Sequence, residues 1–210
     1  MSDGIVRGSD GIARCFWASS ESYAAYHDDE WGQPTRDDRW IFEKLCLEGF
    51  QSGLSWLTIL NKRENFRAAF ANFEVERVAR FTSRSVDKLV KDTGIVRHRG
   101  KIESTINNAK RARELQREFG SLAAFVWQFE PPANSRPKKL TRSTLNKLSK
   151  TPESAVLSKE LKRRGWSFVG PTTTYAFMQA AGIVNDHLHG CAAQTRCSAA
   201  RKKFKVPKPV

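Results

Sequence analysis

The sequence predicts an all-α fold, and three observations support this prediction. Apolar residues recur at helical spacing along most of the chain. Serine, threonine, aspartate and proline stand where these segments begin, and glycines stand where several of them end. A chain of 210 residues is long enough to form one domain, or two small lobes, around a core that needs no disulfides.

The predicted helices follow from their apolar stripes. The first begins after a cap at Asp37 or Asp38. One or two helices follow, and another begins near the candidate cap Ser83. The three stripes are Trp40, Ile41, Leu45 and Leu47; Trp56, Leu57, Ile59, Leu60, Phe66 and Phe70; and Val86, Leu89 and Val90.

The second half of the chain continues this pattern. Ile102, Ile106, Ala109 and Leu115 mark a long helix that ends at Gly120, and Leu122, Phe125, Val126 and Phe129 mark a short one. Thr151-Pro152 begins a helix that Gly165 ends, because proline is favoured at the first helical position. Gly170-Pro171 begins the last main helix, and Gly182 ends it.

Two segments lack a helical period. Residues 130–150 contain three prolines and several lysines, and we expect a long polar connection there. Residues 201–210 are basic and rich in proline, and we expect them to remain mobile without packing.

The charge of the chain favours a polyanionic partner. Lys and Arg number 36 against 22 Asp and Glu, which gives a formal net charge of +14. The alternative is a protein that is merely basic. No apolar run approaches the roughly 20 residues needed to cross a bilayer, so we expect no membrane partner and a cytoplasmic location. Thiols stay reduced there, so Cys15, Cys46, Cys191 and Cys197 are expected to be ligands or core residues.

Four residues near the two ends of the chain form a candidate metal site. Cys15 and His27 lie near the start, and His187 and Cys191 lie near the end. A tetrahedral Zn²⁺ would use all four. The second pair has i, i+4 spacing, so we expect one helical turn to direct both side chains to one point. Burial of these residues in the core, without a metal, remains the alternative.

The segment 91–101 joins two predicted helices through a turn bounded by Gly94 and Gly100. Backbone N–H groups at such a turn can bind a phosphate, and Arg97, Arg99 and Lys101 add positive charge. A helix-hairpin-helix element binds one DNA strand in this way. The alternative is an ordinary connection with a solvated basic face.

Aromatic residues and one carboxylate form a further group. Glu48 ends a predicted helix, and the aromatic residues close to it in sequence are Tyr23, Tyr26, Trp31 and Trp56. Such rings stack on a flat, electron-poor ligand, and the carboxylate accepts hydrogen bonds from its amino groups. Each residue taken alone is more simply explained as part of the core or as a solvated helix end.

Several blocks of the sequence together resemble the DNA-3-methyladenine glycosylase I family, and they occur in the family's order. They are Cys15-x-Trp17, Tyr23-x-x-Tyr26-His27-Asp28-x-Glu30-Trp31-Gly32, Leu47-Glu48-Gly49, Gly53-Leu54-Ser55-Trp56, Lys62-Arg63-Glu64-Asn65, Gly94 to Ile102, Phe168-Val169-Gly170 and Asn185-Asp186-His187. The resemblance runs from Cys15 to Cys191.

The resemblance implies an all-helical helix-hairpin-helix glycosylase, with one structural Zn²⁺ that joins the N- and C-terminal segments. It implies that Glu48 is the catalytic carboxylate that receives a flipped base, in a pocket formed with the four aromatic residues. It also implies that Leu54, with Gln51 nearby, fills the gap left in the duplex. The family often has a second glutamine where this chain has Phe50. The hairpin residues implied to contact DNA are Gly94, Arg97, His98, Arg99, Gly100 and Lys101.

The expected reaction is the hydrolytic removal of 3-methyladenine from alkylated double-stranded DNA by a monomer, which leaves an abasic site for base excision repair. We expect an N-terminal extension at 1–13, the glycosylase domain at 14–195 and a basic tail at 196–210. Two alternatives remain. One is a bifunctional glycosylase/lyase with Lys101 as the Schiff-base nucleophile. The other is a zinc-stabilised DNA-binding module without enzymatic activity.

Overall fold

The computed structural model describes residues 4–137 and 139–210. Two short strands, β1 (Ile5–Arg7) and β2 (Ala13–Cys15), pair antiparallel with Ile5 opposite Cys15. The α-helices of the described residues are α1 (Glu21–Asp29), α2 (Asp38–Gln51), α3 (Trp56–Asn61), α4 (Arg63–Ala69), α5 (Val75–Val78), α6 (Ser83–Leu89), α7 (Arg99–Phe119), α8 (Leu122–Val126), α9 (Arg142–Asn146), α10 (Pro152–Arg163), α11 (Pro171–Ala180) and α12 (Ala192–Lys203). The predicted all-α class is confirmed, with a strand pair that the sequence analysis did not predict.

Helix α2 lies at the centre of the core. Its N-cap is Asp37, whose side chain accepts hydrogen bonds from the backbone N–H groups of Arg39 and Trp40. Every residue from Ile41 to Phe50 is buried, because α2 packs against α3, α7, α8 and α11. Glu48 therefore enters the interior on the last turn of a helix that is fixed on several sides.

Helix α7 is the longest helix and has clear signals at both ends. The His98 side chain caps its first turn by accepting from the Lys101 N–H group, and Gly120 ends it with a left-handed φ of 82°. Its buried face includes Ile102, Ile106 and Ala109. The sequence analysis placed Gly100 at the boundary of the turn before this helix, whereas the helix already begins at Arg99 because His98 provides the cap.

The predicted caps at Thr151-Pro152 and Gly170-Pro171 are confirmed as the starts of α10 and α11. These two helices pack against each other, and α11 also packs against α2. The helical stripes did not predict α1 and α12. Both are short of apolar residues, and their buried side chains are largely those of the Cys/His cluster or its neighbours.

The polar connection at residues 130–150 is more ordered than expected. It contains α9, and Leu140, Leu145 and Leu148 pack against the hydrophobic clusters. A helix of five residues cannot show a helical period in sequence, because it completes little more than one turn.

The expectation that residues 201–210 do not pack is wrong. The Phe204 ring lies 4.7 Å from the Trp127 ring, and Val206 also packs against the core. Arg201 forms an ion pair with Glu130 at 2.5 Å. The tail is held because its few apolar side chains find the exposed edge of the core, while its lysines remain in solvent.

None of the helices in the described residues is both long enough and apolar enough to span a bilayer.

Asp38 joins the starts of two helices. Its carboxylate accepts from the backbone N–H groups of Leu122 and Ala123, both at 2.8 Å, and from the Gln116 side chain. We expect Asp38→Ala to lower the free energy of unfolding by about 1–3 kcal/mol, because two donors at the start of α8 lose their acceptor. Urea unfolding measures this change. Asp29→Ala, an exposed residue, is the control and should change stability by less than about 0.5 kcal/mol; equal losses in the two variants would contradict the assignment.

Candidate base pocket and metal site

The structure brings Cys15, His27, His187 and Cys191 together as a buried group. Their ligand atoms all lie within 4.8 Å of one another. Cys15 ends β2, His27 lies on α1, and Cys191 is the N-cap residue of α12. This Cys2His2 group joins the N- and C-terminal segments of the chain and could bind a metal ion.

Each histidine of the group has its second ring nitrogen fixed by a partner. His27 Nδ1 contacts the Asp28 carboxylate at 2.8 Å, so its Nε2 faces the group. His187 Nε2 contacts the Trp31 carbonyl oxygen at 3.0 Å, so its Nδ1 faces the group. Metal-binding histidines usually have such outer partners, because the partner fixes the ring and its tautomer.

The expected helical turn between His187 and Cys191 is wrong. Both residues lie in an irregular segment between α11 and α12, and Gly190 turns the chain with φ of 91°. Helix α12 begins only after Cys191. The i, i+4 spacing is therefore spanned by a turn that glycine permits, and the two side chains still converge.

The thiols of the chain differ in their surroundings. A hydrogen bond with Cys15 lowers the pKa of Cys191, and the His187 and His27 side chains lower it further. Burial raises the pKa of Cys197 to about 11 and also raises that of Cys46. All four cysteines are buried, and none of them forms a disulfide.

A cavity of about 350 Å³ lies beside the Cys/His group. Glu48 and all four predicted aromatic residues line it, together with Gln51. The remaining lining residues are Trp17, Leu145, Leu148, Ala176 and Gln179. The residues that the sequence analysis grouped around Glu48 therefore share one cavity.

The aromatic wall of the cavity rests on the two histidines. The Trp17 ring lies edge-on, with its centroid 5.0 Å from the His27 ring and 5.0 Å from the Trp31 ring. The Trp31 and His187 rings are 4.6 Å apart. These edge-to-face contacts fix the rings that face the cavity.

Glu48 is the carboxylate of the cavity and is only 5% exposed. Its side chain has no hydrogen bond with any residue that the structure describes. Burial raises the pKa of Glu48 to about 7, and the neighbouring Lys44 ammonium opposes this effect. A buried acceptor without an internal partner is suited to a ligand that brings its own donor.

Lys44 lies one turn before Glu48 on α2 and is 2% exposed. Its Nζ donates to Tyr26 Oη at 2.9 Å and lies 3.3 Å from a carboxylate oxygen of Glu30. Nζ is also 4.4 Å from the ring centroids of both Tyr26 and Trp56. Sequence analysis overlooked Lys44 because a lysine within a helical stripe is usually solvated.

The hairpin residues are placed in different surroundings. Arg97 is exposed and has no ion pair within the described chain, whereas Arg99 is paired with Asp87 at 2.8 Å. The Lys101 ammonium is directed inward and donates to the carbonyl oxygens of Phe50 and Ser52 at 2.9 and 2.6 Å. Of these three cations, only Arg97 could bind a phosphate without first leaving a partner within the protein.

The remaining hairpin residues Gly94, His98 and Gly100 hold the backbone of the turn and the start of α7. Gly94 donates its N–H to the Asp92 side chain, and its carbonyl accepts from Lys62 and Asn65. His98 caps α7, and Gly100 lies in the first turn of that helix.

Gln51 is the last residue of α2, and Leu54 lies in the loop that follows it. Gln51 Nε2 donates to the Leu54 carbonyl oxygen at 2.9 Å, and Gln51 also lines the cavity. The Leu54 side chain is 40% exposed. The loop therefore presents an exposed apolar side chain three residues after Gln51, which lines the cavity.

Sequence analysis missed several lining residues. Trp17 lies two residues after Cys15, and this proximity was the available signal. Leu145 and Leu148 lie in the connection that had no helical period, and Gln179 lies on α11 far along the chain. No local pattern brings these residues to the cavity.

The comparisons with known proteins give a consistent result. The model of the methyladenine glycosylase family matches residues 17–194. The chain belongs to this family. DNA-3-methyladenine glycosylase 1 of Escherichia coli is 47% identical over 182 residues, which cover 86% of this chain and 96% of the relative. DNA-3-methyladenine glycosylase of Haemophilus influenzae is 42% identical over 186 residues, which cover 87% of this chain and 98% of the relative.

A solved structure extends the likeness to the fold. A tyrosine-to-phenylalanine variant of 3-methyladenine DNA glycosylase I, in complex with 3-methyladenine, is 36% identical and has a TM-score of 0.78. The match covers 85% of this chain and 95% of that chain. This methyladenine glycosylase family member therefore shares its fold with a protein known to bind the methylated base.

Proposed function

We propose that this protein is a monofunctional DNA-3-methyladenine glycosylase that removes 3-methyladenine from alkylated DNA in base excision repair. The observation that carries the proposal is the unpartnered Glu48 carboxylate within an aromatic cavity, in a chain of the methyladenine glycosylase family. A flipped base stacks on the rings of Trp56 and Tyr26 and donates its amino group to Glu48.

The chemistry follows from the substrate. Methylation at N3 makes the base cationic, so its bond to deoxyribose is already weakened. When that bond breaks, its electron pair neutralises the base, water attacks the sugar carbon and a proton is released. The protein must extrude the base, select it and hold it. Glu48 as an anion attracts the cationic base and accepts a charge-assisted hydrogen bond.

The geometry disfavours the lyase alternative. A Schiff-base lysine needs an accessible, neutral amine. Burial does lower the pKa of Lys101, but its ammonium donates to two backbone carbonyl oxygens at the end of α2. The alternative of a non-enzymatic module leaves the cavity around Glu48 without a role.

We further propose that the Cys2His2 group binds one structural Zn²⁺. The donor set of two thiols and two imidazoles, each imidazole with its outer nitrogen occupied, fits a closed tetrahedral zinc site with no position for a substrate. His27 Nε2 and His187 Nδ1 would be ligands together with the sulfurs of Cys15 and Cys191.

Several finer points belong to the same proposal. Residues 94–101 act as the hairpin of a helix-hairpin-helix element that binds a phosphate of double-stranded DNA, and Leu54 with Gln51 fills the gap left by the flipped base. The protein acts as a monomer in the cytoplasm. Residues 14–195 form the glycosylase domain, flanked by an extension at 1–13 and a basic tail at 196–210; the family match over 17–194 supports this division.

Glu48→Gln tests the role of the carboxylate. It keeps one acceptor and removes the charge, so 3-methyladenine release should fall roughly ten- to hundredfold, because a charge-assisted hydrogen bond is worth about 1.5–3 kcal/mol. Release by the wild type should also decline as the pH falls below about 7, because Glu48 then becomes protonated and neutral. The variant should lack this decline.

Assays of free-base release from methylated DNA between pH 5 and 8 measure both effects. Glu114→Gln, which removes an exposed carboxylate on α7, is the control and should behave as the wild type. Wild-type release by Glu48→Gln would remove Glu48 from base recognition.

The metal proposal is tested with two cysteine variants. Purified wild type should contain about one equivalent of zinc. Cys191→Ser should lose most of the zinc and melt at a lower temperature, because metal binding stabilises the folded state. Cys197→Ser changes a buried thiol whose sulfur contacts the Trp31 carbonyl oxygen outside the group, so it should retain the metal. A metal-free wild type, or equal loss in both variants, argues against the site.

Arg97→Ala tests the hairpin. It should weaken binding to damaged and undamaged duplexes about equally and reduce the salt dependence by roughly one unit, because one phosphate contact is lost. Arg163→Ala, which removes a surface arginine from α10, should have a smaller effect. A loss confined to damaged DNA would instead place Arg97 in base recognition.

A further inference from the structure

We propose that Lys44 is a positioning residue for base recognition, because its ammonium donates to the Tyr26 hydroxyl and thereby directs that hydroxyl's own proton into the cavity. The inference rests on the proposed function, since it concerns how the same cavity selects its base. Lys44 itself does not line the cavity.

The first step concerns the burial of Lys44. Lysine is almost never fully buried unless it is paired, and Lys44 is 2% exposed. Its carboxylate partner, Glu30, already forms an ion pair with Arg63 at 2.5 Å. Compensation of Glu30 therefore does not require Lys44, and the contact with Tyr26 is the one that Lys44 alone supplies.

The second step concerns the Tyr26 hydroxyl. An ammonium has three donors and no acceptor, so the Tyr26 oxygen must accept in the 2.9 Å contact. The phenolic proton is then left for another partner, and no residue in the described part of the chain accepts it. Tyr26 lines the cavity, so a bound base is the partner that this proposal assigns to the proton.

The third step concerns what the cavity then recognises. Ionised Glu48 only accepts hydrogen bonds, whereas Tyr26 held by Lys44 donates one. Adenine presents an amino donor at N6 beside an acceptor at N7, whereas guanine presents two acceptors on the same edge. The pair of Glu48 and Tyr26 therefore matches a methylated adenine and places a carboxylate against O6 of a methylated guanine.

The charge of Lys44 is compatible with a cationic base. Glu30 lies 3.3 Å from Nζ, and the rings of Tyr26 and Trp56 both lie 4.4 Å from it. The carboxylate and the ring faces offset the positive charge before it reaches the cavity. The ammonium can therefore orient the hydroxyl without excluding a methylated base.

A double-mutant cycle tests this assignment through Lys44→Met and Tyr26→Phe. Methionine has a similar length, is apolar and suits a site lined by Trp40 and Trp56. We expect kcat/KM for 3-methyladenine release to fall about tenfold in Lys44→Met, the size typical of one lost charge-assisted hydrogen bond. Rates are compared on the alkaline plateau of each variant's pH profile, so that loss of the Lys44 charge does not act through the ionisation of Glu48. There the same change in the Tyr26→Phe background should cost less than about twofold, because the hydroxyl is absent.

Two further readouts separate orientation from a general loss of structure. Preference for 3-methyladenine over 3-methylguanine should narrow in Lys44→Met, while binding to undamaged duplex stays unchanged. Lys159→Met removes an exposed lysine on α10 and should match the wild type. Equal losses from Lys44→Met with and without the hydroxyl would overturn the proposal.

If Lys44→Met does not fold, Lys44→Gln replaces it in the cycle. Its amide keeps a donor without the charge, so a smaller loss of about two- to threefold is expected, again only when the hydroxyl is present. The same losses in both backgrounds would again overturn the proposal.

A measurement without catalysis keeps this inference distinct from the proposed function. The chain has 3 tyrosines, so ¹³C labelling at the ring carbon that bears the hydroxyl gives a simple spectrum, and Tyr26→Phe assigns its signal. Lys44→Met should change the ¹³C chemical shift of Tyr26, because the hydroxyl loses its hydrogen-bond donor. An unchanged chemical shift overturns the proposal. Absence of 3-methyladenine release by the wild type would instead refute the proposed function and leave this spectral result standing.

Discussion

The buried carboxylate of Glu48 at the C-terminal end of α2 is the constraint on which the site depends. Helix C-termini carry partial negative charge, and burial adds a desolvation cost, so a carboxylate is doubly disfavoured there. Its pKa rises from 4.5 to about 7, which corresponds to ~3 kcal/mol against ionisation. The Lys44 ammonium, one turn earlier on α2, opposes this cost. The Lys101 ammonium binds the carbonyl oxygens of Phe50 and Ser52 at the same end of the helix. The protein thus holds a carboxylate that is costly to ionise at a position where a cationic base would stabilise its ionised form.

The Cys/His group and the base cavity share a wall, so each depends on the other. His27 and His187 contact the edges of Trp17 and Trp31, and both tryptophans face the cavity. The Trp31 carbonyl oxygen also fixes the outer nitrogen of His187. A shift of either histidine would therefore tilt an indole ring that lines the cavity. Most residues that line the cavity come from the first third of the chain. The Cys/His group, which contains residues from both ends of the chain, supports the aromatic wall of that cavity.

How much the sequence could predict depended on how local each signal was. Helices α2, α7, α10 and α11 were predictable, because their caps and apolar faces lie within each helix. The convergence of Cys15 with His187 could be proposed only from ligand chemistry, since residue types indicate a site but not the path of the chain. Leu145 and Leu148 were not predictable as cavity residues, because the cavity is completed by long-range packing. Lys101 illustrates a further limit: its sequence neighbours are cations, which suggested a phosphate, whereas its partners are carbonyl oxygens fifty residues earlier.

The position of Lys101 also explains how phosphate binding and base recognition could be coupled in one rigid unit. Its backbone lies in the first turn of α7, where His98 accepts its N–H, and its ammonium holds the end of α2 that follows Glu48. If the proposed hairpin binds a phosphate at the start of α7, that phosphate would lie at a fixed distance from the Glu48 carboxylate. Both helices are anchored in the same core, because α2 and α7 pack directly against each other. Positioning of this kind lowers the entropy lost when the base enters the cavity, since the backbone contact and the base contact need no mutual adjustment. The lysine that the sequence offered as a nucleophile is thus better placed to set the geometry between the two parts of the site.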